Sequence, residues 1–343
     1  MNRIARLLLV GCALFSVATT AAAQTAVPII DMHMHALPYD QQGPPPLGMC
    51  TPMTMPVWDQ KAPYAEAFFD LLKNPACDDP VWSPMSDEEN FSRNLAVIEK
   101  HNVYGVLAGS RDRVASWVAA APGRFIPGLT FSGREGSPTP EEIVKQHESG
   151  ALDVLMEITT QYQGIDPAGP LLAPYWAALE ANDIPAGIHV GTGPPGVAYL
   201  GLRDYRGRMH SALTMEEVLI NHPGLRVYLG HAGFPMRDDL LALMYAHPQV
   251  HVGIGVIVYT QTPESFYGYL KAIFDAGFGK RVMFGSDQMV WPETIARSIK
   301  VINDAPFLNE EQKRDVLFWN AARFLRLSDD EIARMHAGGA KQE

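Results

Sequence analysis

The chain has 343 residues, of which 47% are hydrophobic and 19% charged. This composition supports a large apolar core and excludes disorder, collagen and coiled coil as descriptions of the whole. A net charge of −11, with no basic block anywhere, leaves no electrostatic footprint for nucleic acid.

Residues 1–23 read as a secretory signal peptide. Arg3 and Arg6 give a positive start, and residues 7–17 are an apolar stretch too short to span a bilayer as a mature helix. Ala21-Ala22-Ala23 before Gln24 has the form of a cleavage site. Leu9-Val10-Gly11-Cys12 resembles a lipoprotein box, but cleavage there would leave an apolar region of only about six residues, below the usual range. Lipid anchoring is therefore the minor alternative to a periplasmic or secreted protein. No later stretch is long and apolar enough to be a transmembrane segment. Export leaves Cys50 and Cys77 as an even pair in an oxidising compartment, which predicts a disulfide over two free buried thiols. Closing that loop would contribute roughly 3 kcal/mol in the chain-entropy model.

Eight apolar or β-branched runs follow in order, at 27–35, 103–110, 124–131, 152–158, 185–191, 226–233, 250–257 and 281–287. Helical amphipathic patterns occupy 87–100, 141–148, 173–182, 215–221, 237–246, 263–276 and 310–325. The last is entered through Asn309, with Gln312 three residues on, a capping-box pattern. Strand and helix alternating in this way predict an α/β fold, a (β/α)8 TIM barrel in a single domain over 24–327. A short C-terminal helix and tail, 328–343, would follow it. The competing doubly wound sheet would want a Gly-rich turn after its first strand; here that strand ends in Asp31-Met32-His33-Met34-His35. Residues 36–86, rich in Pro and Gly, form a long insertion after strand 1, which a Cys50–Cys77 bond would staple.

His33 and His35, two apart on a strand, share one face. In a barrel that face can be the interior near the C-terminal rim, where βα loops build active sites. Two imidazoles there make poor core and a good start to a metal site, although His-x-His alone is more often chance. Glu157, His189, His231 and Asp287 each follow an apolar run, at the same end of strands four, five, six and eight. Such groups are costly to bury unless paired or metal-bound.

Asp31-x-His33-x-His35, His189, His231, Phe284-Gly285-Ser286-Asp287 and Asn320-Ala321-Ala322-Arg323 together resemble the amidohydrolase superfamily of metal-dependent hydrolases, in its amidohydrolase-related branch. That branch also contains decarboxylases similar to aminocarboxymuconate-semialdehyde decarboxylase. The resemblance spans 31–323. It implies a distorted (β/α)8 barrel whose rim holds a metal through His33, His35, His189 and Asp287. Two site designs stay open. In the mononuclear one, His231 is an acid/base near the water. In the binuclear one, a strand-four group bridges two ions and His231 holds the second. The superfamily often bridges with a carboxylated lysine; this chain has Glu157, and some relatives, including the TatD-like enzymes, use glutamate. His33, His35, Glu157, His189, His231 and Asp287 form a complete binuclear set, the design preferred here. In the alternative, Glu157 supports a ligand histidine or a loop backbone.

The implied cofactor is a divalent metal, Zn2+ by default, one or two ions per chain; the ligand set also suits Mn2+ or Fe2+. Asp287 would take the proton of a metal-activated water and pass it on, and His231, where it is not wholly used as a ligand, would stabilise a developing oxyanion. The expected function is an exported hydrolase of a small-molecule amide, ester or lactone. The alternative is non-oxidative decarboxylation of an aromatic or enoic acid on the same scaffold. A third reading, a non-catalytic barrel, fits poorly with a complete ligand set. Loop residues Gln161, Tyr162, Arg203, Tyr205, Arg206, Arg208, Phe234, Arg237, Tyr259, Phe266, Tyr267 and Trp291 would line the pocket and favour an aromatic or carboxylated substrate. Each arginine alone is better explained by solvent or by acids such as Asp204 and Asp238. The other histidines, His101, His147, His210, His222, His247, His251 and His336, are read as structural or solvated.

Overall fold

The computed structural model describes residues 27–338. The signal peptide read at 1–23 lies outside the described residues, as does the end of the tail. Eight barrel strands are present: β1 Ile29–Ala36, β2 Val103–Gly109, β3 Phe125–Pro127, β4 Leu155–Ile158, β5 Ala186–His189, β6 Val227–Gly230, β7 His251–Gly253 and β8 Val282–Met283. Two parallel sheets contain them, β1-β2-β3 and β4 through β8 in sequential order. The sheets meet at two thin seams. Between β3 and β4 the bridges Gly128–Val154 and Phe131–Ile158 join them. Between β8 and β1, Met32 N–H donates to Phe284 O (2.9 Å) and Asp287 N–H to His33 O (2.7 Å). Neighbours thus run round the ring in chain order, a distorted (β/α)8 barrel.

Ile30, Met32, Val106, Ala108, Val154, Met156, Tyr228 and Met283 fill the lumen, with Phe318, Ala321, Ala322 and Phe324 from the last long helical segment packed against them. Tyr228 occupies space that Gly187 leaves open: a Cβ at 187 would lie 2.4 Å from the ring. Its hydroxyl donates to Met32 O (2.7 Å) and ties β6 to β1 across the lumen. A second apolar layer, among it Leu107, Leu155, Ile188, Leu229 and Val252, lies between strands and helices.

The predicted helices form close to the expected bounds, as Asp87–Lys100, Pro140–Glu148, Ala173–Ala181, Glu216–Asn221, Arg237–Ala246 and Pro263–Asp275. The segment 310–325 is not one α-helix. Behind the Asn309/Gln312 capping box runs Glu310–Arg314, then a π turn Asp315–Trp319, then Asn320–Leu325. Arg111–Ala120 and Thr294–Asn303 are helices that the sequence reading left unassigned. β7 and β8 are shorter than expected. After β7 the chain reaches a positive φ at Val256 and coils into Ile257–Thr260; after β8 it leaves the ladder so that Asp287, with φ 53°, turns into the site.

The insertion is ordered rather than structureless. It contains an antiparallel pair, Gly48–Met49 with Val81–Trp82, the helix Tyr64–Lys73 and the Cys50–Cys77 disulfide. It leans on the loops after β5, β7 and β8. The Tyr64 hydroxyl donates to Pro195 O (2.7 Å), Met53 N–H to Thr260 O (3.0 Å) and the Trp291 indole to Leu47 O (2.9 Å). Among the described residues, no helix is long and apolar enough to cross a membrane.

Candidate metal centre

Two breaks in strand register aim the candidate ligands. In β1 the partners step from Asp31↔Gly105 to Met34↔Leu107, so β1 carries one extra residue. Met32 faces the lumen below the break, and His33 and His35 face the site above it. In β4 the step from Leu155↔Ala186 to Ile158↔Ile188 inserts one residue in the same way, and Glu157 follows lumenal Met156 inward. Bulges of this kind re-aim a side chain beside active sites. His189 ends β5, His231 follows β6 with φ 62°, and Asp287 follows β8.

All six side chains are buried and converge. His33 Nε2 lies 3.1 Å from His35 Nε2, 3.6 Å from Glu157 Oε1 and 3.7 Å from Asp287 Oδ1. His35 Nε2 is 2.9 Å from Asp287 Oδ1, and His231 Nε2 is 3.4 Å from Glu157 Oε1. Three overlapping triplets have the ligand spacing of a metal site: His33, His231 and Asp287; His33, His35 and Glu157; Glu157, His189 and His231. Glu157 Oε1 and His231 Nε2 are buried with no hydrogen-bond partner. Orphaned atoms of this kind cost free energy unless something fills the space between them. A carboxylate and imidazoles turned toward one another fit a divalent cation.

The electrostatics agree with that fit. Burial raises the Asp287 carboxyl, but His33 and His35 outweigh it and hold it down at about 2. Burial opposes ionisation of Glu157 as well, yet His33 and His189 keep it well below the usual carboxylate range. Burial, reinforced by His231, pushes His189 down to about 3, so that imidazole is neutral and its lone pair is available. Against burial, Asp287 raises His35 and Glu157 raises His231.

The sequence model of the amidohydrolase family Amidohydro_2 matches residues 30–327. The chain belongs to the amidohydrolase family. No curated protein matches the sequence. Among solved structures it is similar to a 5-carboxyvanillate decarboxylase from Sphingomonas paucimobilis, at 17% identity and a TM-score of 0.55, over 88% of this chain and 100% of that one. It is similar to a 2,6-dihydroxybenzoate decarboxylase from Rhizobium, at 13% identity and a TM-score of 0.55, over 88% and 99% of the two chains. A probable 2-pyrone-4,6-dicarboxylic acid hydrolase from Acinetobacter baumannii matches at 13% identity and a TM-score of 0.55, over 87% and 99%. At these identities the likeness is one of fold.

Around the six groups, this amidohydrolase has a layer of fixed hydrogen bonds that the sequence reading named in part. Gln161 Oε1 accepts from His189 Nδ1, and its own amide donates to Met209 O (2.7 Å). The Tyr162 hydroxyl meets His189 Nε2 at 2.9 Å; burial, with Glu157 nearby, pushes its phenol well above the ordinary value, so it keeps its proton. His231 Nδ1 faces Gly255 O (2.9 Å), and the Tyr259 hydroxyl donates to Asp287 O (2.9 Å). Gln288, which sequence reasoning missed, accepts from His35 N–H (3.0 Å) and donates to His35 O (2.8 Å). The signal available for it was one amide in the apolar run that follows Asp287. Of the loop residues expected at the pocket, Gln161, Tyr162 and Tyr259 bond to the six groups, and Tyr205 stacks on Tyr162. Phe266 and Trp291 are buried in the core, and Tyr267 donates to Val301 O. Arg203, Arg206, Arg208 and Arg237 are exposed, Arg237 against Asp238. The remaining histidines take local roles, such as His222 on Glu180 and His147 on Leu152 O; His210 pairs with Tyr205. A cavity of about 360 Å³ opens between the loops after β2 and β3, lined by Arg111, Thr130, Ser132, Glu135 and Ser137 among others and by none of the six groups. Phe131, between two of these residues, donates its N–H to Glu157 O (2.8 Å). A larger surface groove along Phe234, Arg237, Glu264 and Tyr269 contains none of the six groups.

Proposed function

We propose that this amidohydrolase is an exported metal-dependent hydrolase of a small-molecule amide, ester or lactone. The observation that carries this reading is the buried convergence of six ligand-type groups in which Glu157 Oε1 and His231 Nε2 face each other unpartnered. His33, His35, His189 and Asp287 would hold one ion, and Glu157 with His231 would hold the second in the binuclear form. A divalent ion there, zinc by default, would polarise the scissile carbonyl and acidify a bound water toward a pKa of about 7.

The chain's own groups do the rest. Asp287 Oδ1, beside His35 and His33, faces the space the ligands enclose, where a carboxylate accepts a proton from water and returns it to the leaving group. Gln161 holds His189 with its proton on Nδ1 and so leaves Nε2 unprotonated, turned to the Tyr162 hydroxyl. The insertion, resting on the loops after β5, β7 and β8, would narrow access for water. Residues 1–23 support export, and the Cys50–Cys77 bond suits an oxidising compartment.

Decarboxylation is the second reading, favoured by the activities named for two of the similar structures. The test is to load the protein with zinc or manganese and offer lactone, ester, amide and aromatic-acid panels. New carboxylate together with alcohol or amine supports hydrolysis, and carbon dioxide release alone replaces it with decarboxylation. A protein that takes up no metal refutes both.

A further inference from the structure

We infer that Tyr162 donates a hydrogen bond to a substrate oxygen at the metal centre, and that its hydroxyl rests on His189 only until a metal takes that nitrogen. The inference rests on the reading of His189 as a ligand.

Hydrogen-bond logic fixes the starting state. His189 Nδ1 faces Gln161 Oε1, and that amide cannot turn round without losing its bond to Met209 O. Nδ1 therefore carries the proton, Nε2 presents a lone pair, and the Tyr162 hydroxyl at 2.9 Å is the donor. Nε2 is also the one nitrogen His189 has left to offer the cluster it forms with Glu157 and His231. A single lone pair cannot serve both partners, so an ion bound there frees the hydroxyl.

The freed hydroxyl cannot withdraw. Tyr162 sits in the tight turn Thr160–Gln163 directly after β4. Its ring stacks on Tyr205, with centroids 5.6 Å apart and planes 30° apart. Tyr205 is itself held through its hydroxyl by Gly193 N–H and His210. Gly193 lets the Tyr162 ring lie this close, since a Cβ at 193 would be 2.9 Å from that ring. Among the described residues His189 is the hydroxyl's only hydrogen-bond partner. Once displaced, it is a pinned donor beside the ligands, on a half-buried side chain that an incoming molecule can reach. Donors fixed in that position stabilise charge that develops on a substrate oxygen.

The test uses Tyr162→Phe and needs no knowledge of the natural substrate. Zinc affinity of the metal-free protein is measured by chelator competition. Binding of acetohydroxamate, which places a carbonyl oxygen on a divalent ion, is then measured on the zinc-loaded protein. Tyr162→Phe should bind zinc about threefold to tenfold more tightly, because one ordinary hydrogen bond no longer has to break. It should bind acetohydroxamate about tenfold more weakly. Weaker or unchanged zinc binding would mean that the hydroxyl props His189 or does not compete, and undiminished hydroxamate binding would mean that it meets no ligand; each overturns the inference. His189→Ala is the control. If it keeps full zinc occupancy, the metal reading itself fails; if it loses zinc while Tyr162→Phe matches the parent in both assays, only the role of Tyr162 is lost.

Discussion

Replacing Asp31 with Asn should stabilise the metal-free protein at pH 8 and change nothing near pH 4. Asp31 is fully buried; Oδ1 accepts from His33 N–H (3.0 Å) and Ser286 N–H (2.9 Å), and Oδ2 has no partner. Burial outweighs the bonds from Ser286 and His33 and lifts the carboxyl from 3.8 to about 6. The folded state therefore holds this proton more tightly than the unfolded chain does. Its contribution is fully present below pH 3.8 and is lost as the pH rises through 6. That gap corresponds to about 3 kcal/mol. An Asn carbonyl can accept the same two bonds, and its NH2 group replaces an atom that is unpartnered either way. Parent and variant should match near pH 4, and the variant should exceed the parent by about 3 kcal/mol at pH 8. For a chain of this length, at about 2.1 cal/mol/K of unfolding entropy per residue, that is roughly 4–5 °C. Urea midpoints of both proteins in chelator, from pH 4 to 8, isolate the term, because every other group titrates alike in the two. Saturating zinc should shrink the difference, since cations beside His33 favour the carboxylate. A difference that stays flat with pH, or a variant less stable than the parent at pH 8, would refute the reasoning.

Three further outcomes follow from the site and its supports. Elemental analysis at saturating metal should find two ions per chain in the parent and one in Glu157→Gln, with turnover down about a hundredfold or more. One ion in the saturated parent, with an active variant, would favour the mononuclear design and return His231 to an acid/base role. Gln288→Leu leaves the backbone N–H and C=O of His35 without their amide partner. It should cost about 2–4 kcal/mol in a urea titration and about tenfold to a hundredfold in zinc affinity; lost stability with zinc affinity intact would show that the amide supports the fold alone. Thiol labelling of unfolded, unreduced protein should find essentially no free cysteine, and reduction should lower stability by up to about 3–4 kcal/mol. Two reactive thiols from Cys50 and Cys77 would overturn the staple.

The strand order was legible because parallel barrel strands are buried on both faces and read as unbroken apolar runs between turns. The helices that escaped notice did so for different reasons. Arg111–Ala120 buries only Val114 and Trp117, too little to impose a 3.6-residue period on its sequence. Thr294–Asn303 does have such a stripe, through Ile295, Ile299 and Ile302, and was readable. The interior of the insertion could not be read locally. Its shape is set by a disulfide across 27 residues and by bonds to loops more than a hundred residues away, such as Tyr64 to Pro195 and Leu47 to Trp291.

The site poses a sharper problem of parity. Spacing places His33 and His35 on one face, but spacing alone also ties them to the face opposite Ile30 and Met32, since a strict period of two cannot turn Met32 and His33 the same way. With Ile30 and Met32 packed in the lumen, a regular β1 would send both histidines out among the helices. The same holds for Met156 and Glu157 in β4. One extra residue in each strand resolves the conflict, and in both the break falls between an apolar lumen residue and the first polar group above it. The two bulges thus separate a dry apolar floor, with Met32 and Met156 in it, from the layer of imidazoles and carboxylates that stands on it. Without water beneath them, those groups have only each other, the backbone and whatever enters from the rim to satisfy them. That is why Glu157 Oε1 and His231 Nε2 remain orphaned in the protein alone, and why the chemistry is directed toward the open, loop-built end of the barrel.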